Sequence, residues 1–550
     1  MTTESLLLFV LVAVAVMVAV RALAERTALP AAALLTVVGI GYALLPGPNL
    51  TLDPHLVLTL VLPPLLYSAA LDSSLLALRR NLRIVVSLSV LLVLATAMVV
   101  GVGLWLLVPG ATLAAGIALG AAVAPPDPVA ALAVGRRAGL PGRLITLIQG
   151  EGLLNDATAL TILSVAVAAV RGDGFSAPAA FGQFLLSATG GVLAGVVVAY
   201  GVRPLRRVRR DPLASNAISL ATPFAAYLLA EQVHVSGVLA VVIAGLIIGH
   251  HNPSWASGAT RLQTNAVWRL VDFLLEGFVF LLIGQQLPAV ISGLGSYRTS
   301  TVVTASLVTV GGVLLVRPFW LLLTESLPQS LHTRLGETDG QRGSDRARPG
   351  RLSARELVVL SWSGTRGVIS LAAIFTLPTV TDSGAPFPDR DLLLFCTFLA
   401  VLVTLVGQGF TFAPLVRALG VRADEADEAR LRNEARLAAA DAAVGRLDEL
   451  RAEDHDDLEE HAIEAVQTQL LTRRARYRRR LELLQTAEAG EVPMSPQYEA
   501  ALVVRRAVLD AQREELLRWR DVGRLPDQSL RLLQRELDHE EGLLPTRDAR

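Results

Sequence analysis

The 550-residue chain contains no lysine, so all 49 of its basic side chains are arginine. Alanine, valine, leucine and glycine dominate the remainder, and the missing lysine reads as a bias of composition without functional meaning. One cysteine, Cys396, lies in an apolar run. An intrachain disulfide and a cysteine zinc site are therefore excluded. Aromatics make up 5% and charged residues 18%, whereas 52% of residues are hydrophobic. With a mean hydropathy of +0.51, the composition is too apolar for an ordinary soluble enzyme and points to a membrane protein. The segment before the first apolar run holds Glu4 and no positive residue. It lacks the basic region of a signal peptide, so that run is read as a span.

Stretches of roughly 17 to 25 apolar residues read as transmembrane helices. Thirteen occur, near 4–22, 30–46, 55–71, 84–108, 111–133, 143–169, 183–202, 216–231, 237–250, 268–290, 301–323, 357–377 and 392–417. Short cytoplasmic loops collect arginine. Odd-numbered connections carry 21 arginines: Arg21 and Arg26, then Arg79, Arg80 and Arg83, then Arg136, Arg137 and Arg143, and further groups at 203–210, 261–269 and 334–355. Even-numbered ones carry three, Arg171, Arg298 and Arg390. This alternation favours thirteen spans over twelve, with the N-terminus outside and the C-terminal tail in the cytoplasm.

The zero net charge conceals a division. Residues 1–420 carry 27 arginines and 20 acids, whereas 421–550 carry 22 and 29. The expected organisation is a transmembrane domain over 1–420 and a charged helical cytoplasmic tail over 421–550. In the tail, acids from Asp424 to Glu434 and from Glu449 to Glu464 precede a basic run from Arg473 to Arg480. Leucine and alanine recur at helical spacing between them. A net-acidic segment whose basic run holds one aromatic, Tyr477, does not fit a nucleic-acid surface.

Ionisable side chains inside spans cost roughly 2.5 to 3.5 kcal/mol each on insertion scales, so each needs a reason. Five stand out: Asp127 in span 5, Glu151 and Asp156 in span 6, Arg317 in span 11 and Arg366 in span 12. If each arginine neutralises one acid, one carboxylate stays free to titrate or to hold a cation, which equips a proton-coupled cation carrier. No histidine lies in these segments, so a hydrolytic nucleophile has no histidine base.

Span 5 contains Pro125, Pro126 and Pro128 around Asp127. Three prolines in four positions break a helix, and at mid-membrane such a break is tolerated only against protein or a polar cavity. A simpler reading is a proline kink with Asp127 capping the second half-helix, and both can hold at once. In span 6, Glu151 and Asn155 share a face, while Asp156 lies about 140° round from Glu151. Gly150 and Gly152 leave room for a crossing helix. Span 12 has Gly364 and Gly367 flanking Thr365 and Arg366. Spans 5 and 12 are an odd number of spans apart, so an acidic and a basic break could cross as members of inverted repeats, offsetting the dipole charges of the half-helix ends.

The segments Pro126-Asp127-Pro128-Val129-Ala130, Glu151-Gly152-Leu153-Leu154-Asn155-Asp156 and Gly364-Thr365-Arg366-Gly367-Val368-Ile369-Ser370-Leu371 resemble the signature helices of sodium/proton antiporters of the NhaP/NHE type. Leu62-Pro63-Pro64-Leu65-Leu66-Tyr67, Phe278-Val279-Phe280-Leu281-Leu282-Ile283-Gly284 and Gly407-Gln408-Gly409-Phe410-Thr411 match in the same order. The resemblance covers about 1–420. It implies an all-α, homodimeric carrier of about thirteen helices in the cell membrane, with two crossed, broken helices in a mobile ion-binding domain. It further implies that Asp156 binds the monovalent cation or proton, that Asn155 organises the site, that Glu151 pairs with Arg317, and that Asp127 and Arg366 belong to the crossing point.

The chain departs from the family at Gly152, where serine is usual, and at Pro126, where a hydroxyl is common. Two candidate oxygen ligands for a cation are thereby lost. Asn155-Asp156 stands where electrogenic relatives resemble Asp-Asp, so the expected exchange is electroneutral, one cation (Na+, or K+ or Li+) for one H+, serving pH homeostasis with no cofactor. A K+/H+ antiporter of the same fold is the alternative. A tail-gated channel would need a filter loop, and no segment resembles one.

Overall fold

The computed structural model describes residues 3–27, 29–45, 54–171, 177–208, 211–326, 352–382, 384–423, 425–452, 457–486, 496–522 and 524–542. The expected arginines at 209, 210, 334, 342, 346, 348 and 351, and Asp424, lie outside them. The chain divides into two compact units, Met1–Arg422 and Ala423–Arg550.

The first unit is an all-α polytopic membrane protein. Among the described residues nine helices are long and apolar enough to cross a bilayer. In chain order the unit holds α1 (Thr3–Thr27), α2 (Ala31–Ala43), α3 (Pro54–Leu71), α4 (Leu82–Leu107), α5 (Leu113–Val123) and α6 (Val129–Arg137). Then come α7 (Gly142–Arg171), α8 (Ala177–Val208), α9 (Pro212–Gln232), α10 (Gly237–Trp255), α11 (Gly258–Gln285) and α12 (Thr299–Ser326). The unit closes with α13 (Ala354–Trp362), α14 (Val368–Phe375) and α15 (Arg390–Leu419). Each of the thirteen apolar stretches overlaps a helix or a broken pair. Four lie outside the nine: α2, α5 with α6, and α13 with α14 are short or broken, whereas α11 is 28 residues long but carries Arg269, Asp272 and Glu276 in its apolar part.

Local chemistry sets the helix starts. Ser74, Thr112, Asp211, Ser236 and Ser257 accept a backbone N–H of the first turn that follows each of them, which satisfies a donor that the helix cannot. Ser353 and Glu356 form a reciprocal capping box at the start of α13, as the Ser-x-x-Glu spacing dictates. Within the spans, hydroxyls return their protons to the carbonyl one turn back, as Thr96 does to Leu92 and Thr309 to Ala305, both at 2.8 Å.

Close backbone approach holds α5 against α4. A Cβ placed on Gly116 would stand 2.6 Å from the carbonyl oxygen of Gly101, and one on Gly120 would collide with that of Ala97. Small residues at such crossings let helices gain dispersion energy where lipid offers no hydrophobic driving force. The core beside this seam includes Leu104, Ala115, Ala118, Leu119 and Ala122.

The second unit consists of α16 (Glu425–Arg451), α17 (Asp457–Thr486), α18 (Pro496–Asp521) and α19 (Asp527–Gly542). Asn433 of α16 donates to the carbonyl of Tyr477 in α17 at 2.6 Å. Arg513 of α18 reaches Asp538 at 2.7 Å and Glu541 at 2.5 Å in α19. The ion pairs of this unit are largely solvent-exposed and worth little individually.

The seam between α4 and α5 yields a test. Gly120→Val should cost about 1 to 3 kcal/mol by overpacking, visible as a lower melting temperature in detergent. Gly311→Val, where an added Cβ meets nothing within 4 Å, should melt like the wild type. Equal effects at both positions would contradict the close approach.

Candidate functional site

The two broken helices meet at their breaks. Beyond Val123 the chain leaves α5 through Ala124, Pro125, Pro126 and Asp127, and re-enters helix at Val129. Pro125, Pro126 and Pro128 have no N–H to give, so the interruption strands few donors but several carbonyls. The opposite break runs from Ser363 to Gly367, between α13 and α14. Asp127 N donates to Thr365 O at 2.6 Å, and Thr365 Oγ1 donates to Asp127 O at 2.8 Å. Asp127 Oδ1 accepts from Val129 N at 3.0 Å, so this carboxylate also caps α6. Gly367 is required here, because any Cβ would collide with the Asp127 carboxylate.

Arg366 does not pair with an acid. Its Nε donates to Val123 O at 2.8 Å, its Nη2 to Ala124 O at 3.1 Å and its Nη1 to Gly364 O. Its backbone N donates to Thr404 Oγ1 of α15 at 2.9 Å. The expectation that each arginine neutralises one carboxylate is thereby corrected: Arg366 belongs to no ion pair among the described residues. It serves instead as a cap on the C-terminal carbonyls of α5, where a cation is favoured by both hydrogen bonding and the helix dipole.

Glu151 and Arg317 form a bidentate pair. Arg317 Nη2 donates to Glu151 Oε2 at 2.8 Å, and Nη1 to Oε1. The two residues are 1% and 3% exposed. Arg317 Nε also donates to Leu360 O at 2.9 Å, which ties α7, α12 and α13 together. The flanking glycines make room: a Cβ on Gly152 would strike the ring of Pro128, and one on Gly150 would lie 2.9 Å from Val85 Cγ2.

Asp156 sits five residues past Glu151 on α7 and is 3% exposed. Among the described residues no protein group hydrogen-bonds or ion-pairs with its carboxylate. Its neighbour Asn155 donates through Nδ2 to Pro126 O at 2.8 Å, fastening α7 to the break. A cavity of about 300 Å³ opens against Asp156 and Asp127, walled by Pro125, Pro126, Gly152 and residues 367–370.

Two further carboxylates in that wall, Asp272 and Glu276, escaped the sequence reading. Ser68 Oγ donates to Asp272 Oδ2 at 2.5 Å. Their signal was present, since acids four apart on an apolar helix share one face. The cavity thus presents Asp127, Asp156, Asp272 and Glu276, and among the described residues no arginine pairs with any of them. Such a site can take up protons or hard cations. Among the described residues no group of three or more His, Cys, Asp or Glu is placed to hold a resident metal ion.

The family described as sodium/hydrogen exchanger, transmembrane, matches residues 10–418. The chain belongs to the sodium/hydrogen exchanger family. It is 34% identical over 501 residues to an uncharacterised Na+/H+ exchanger of Mycobacterium bovis, covering 90% of this chain and 88% of that one. It is 33% identical over 368 residues to the sodium, potassium, lithium and rubidium/H+ antiporter of Bacillus subtilis, covering 66% and 53%. The solved sodium proton antiporter MjNhaP1 of Methanocaldococcus jannaschii superposes with a TM-score of 0.57 at 18% identity, over 76% of this chain and 99% of that one. That likeness shows a shared polytopic antiporter fold. The exchanger is a transporter of the NhaP type, not an enzyme, and its family needs no cofactor.

In this exchanger the buried pair should matter most for stability. Glu151→Gln strands the Arg317 guanidinium and should cost about 3 to 5 kcal/mol, a larger fall in melting temperature than Asp156→Asn causes. Combining Glu151→Gln with Arg317→Met should cost less than the sum of the single changes. Additive losses would show that the two side chains do not stabilise one another.

Proposed function

We propose that the exchanger moves one monovalent cation, Na+ in the first instance, against one H+ by alternating access, with Asp156 as the shared binding group. The observation that carries this reading is the isolation of Asp156. It is buried at the crossing of two broken helices, faces a cavity, and has no protein partner among the described residues, whereas Glu151 is committed to Arg317 and Asp127 to Val129 N. A carboxylate so placed holds a proton or a cation, and each excludes the other. Asn155 beside it, where a second aspartate would add charge, supports electroneutral 1:1 exchange. K+/H+ exchange is the second reading, favoured by the ion range in the name of the Bacillus subtilis relative.

Arg136, Asp72 and Gln149 line the same cavity, and Arg136 belongs to the arginine-rich set of connections. With those loops in the cytoplasm, the cavity opens inward, the N-terminus is outside and the tail is cytoplasmic. The transport unit is taken as 1–420 and the tail as 421–550, with thirteen spans, homodimeric assembly in the cell membrane and a role in pH homeostasis.

Competition at one carboxylate has a kinetic signature. Below the pKa of the site, the apparent KM for the cation should rise about tenfold per pH unit, while the maximal velocity at saturating cation stays constant. Asp156→Asn and Asp156→Ala should abolish exchange and leave the protein inserted. The check is a matrix of cation concentration against pH in everted vesicles, run on the full chain and on a chain ending at Val421. A pH effect on maximal velocity with unchanged KM would contradict competition at Asp156, and loss of the pH dependence on truncation would make the tail the candidate regulator.

A further inference from the structure

Three serines line the cavity: Ser68 donates to Asp272 Oδ2 and Ser73 to Ala69 O, whereas the hydroxyl of Ser370 has no such use among the described residues. Ser370 lies in the first turn of α14, just past the Gly367 break, and lines the cavity with Asp156 and Asp127. It is 1% exposed. Among the described residues it is the only serine or threonine whose fully buried side-chain oxygen has no hydrogen-bond partner.

The reason is local. Thr96, Thr309, Thr397 and Thr404 each donate to the carbonyl four residues back, the usual recourse of a hydroxyl in a membrane helix. Four residues before Ser370 stands Arg366, which is in the break and not in the helix. Its carbonyl is therefore not in the helical position that would receive the proton. Buried polar groups are nearly always satisfied, so an orphaned hydroxyl in a carboxylate-lined cavity calls for a partner from outside the protein. Pro126 and Gly152 offer no side-chain oxygen to the cavity, whereas Ser370 of α14 carries one.

We propose that Ser370 is a ligand of the transported monovalent cation, giving it a hydroxyl lone pair alongside the carboxylate of Asp156 and thereby helping to set selectivity among Li+, Na+ and K+. The assignment rests on Asp156 being the cation site. Nothing covalent occurs: the hydroxyl keeps its proton and replaces one water of the cation's shell. A smaller ion holds each oxygen closer and gains more from it, so the contribution falls in the order Li+, Na+, K+.

The test uses full-length protein in proteoliposomes, with LiCl, NaCl and KCl each used to dissipate a preset pH gradient. Ser370→Ala should raise the KM for Na+ about tenfold, raise that for Li+ at least as much and that for K+ less, and leave maximal velocity unchanged. Ser370→Thr, which keeps the hydroxyl, should restore the wild-type order of KM values. Thermal stabilisation of the protein by added NaCl should weaken in Ser370→Ala in parallel. Wild-type KM values in Ser370→Ala, with Asp156→Asn inactive, would overturn the role of Ser370 and leave the cation site standing. A fall in maximal velocity with unchanged KM in both Ser370 variants would likewise overturn it, as a packing effect. Exchange by Asp156→Asn would overturn the site itself.

Discussion

Backbone that leaves a helix inside a bilayer has no water to bond, and this constraint organises the centre of the protein. Two helices break at the same depth and satisfy one another. Asp127 N and Thr365 O, and Thr365 Oγ1 and Asp127 O, join the two breaks directly. The guanidinium of Arg366 closes the carbonyl end of α5, and Asn155 holds the Pro126 carbonyl. With the freed backbone groups taken up in this way, Asp156 is left without a partner among the described residues. The proposed ion site therefore depends on the crossing more than on its own immediate neighbours.

The Glu151 and Arg317 pair serves a different purpose. It joins α7 to α12, and through Leu360 to α13, so the helix that carries Asp156 and the helix that leads into the second break are held by one buried ion pair. Buried pairs of this kind contribute little net stability compared with apolar packing, but removing one partner is costly. That asymmetry suits a device for keeping register. It fixes where the crossing lies without spending a charge that transport needs.

Much of this was legible in the residues. Three prolines in four positions cannot continue a helix, and glycines at 364 and 367 mark the second break, so the two interruptions were readable from composition alone. The family signature supplied the Glu151 and Arg317 pairing. The role of Arg366 was not legible, because counting charges matches arginines to acids and overlooks the carbonyls that a broken helix exposes, which accept just as well. Asp272 and Glu276 were within reach of the same rule that singled out Glu151 and Asp156. The orphaned hydroxyl of Ser370 was not, since its lack of a partner depends on where α14 begins, and helix boundaries at a break follow from the crossing itself.

In the proposed mechanism one carboxylate, Asp156, exchanges a proton for a cation. The most direct measurement is the number of protons released when NaCl is added to the purified protein in weakly buffered detergent solution, at a pH where the site is protonated. The account predicts one H+ released per cation bound, and none released by Asp156→Asn. Cation binding without proton release, or undiminished release from Asp156→Asn, would contradict it.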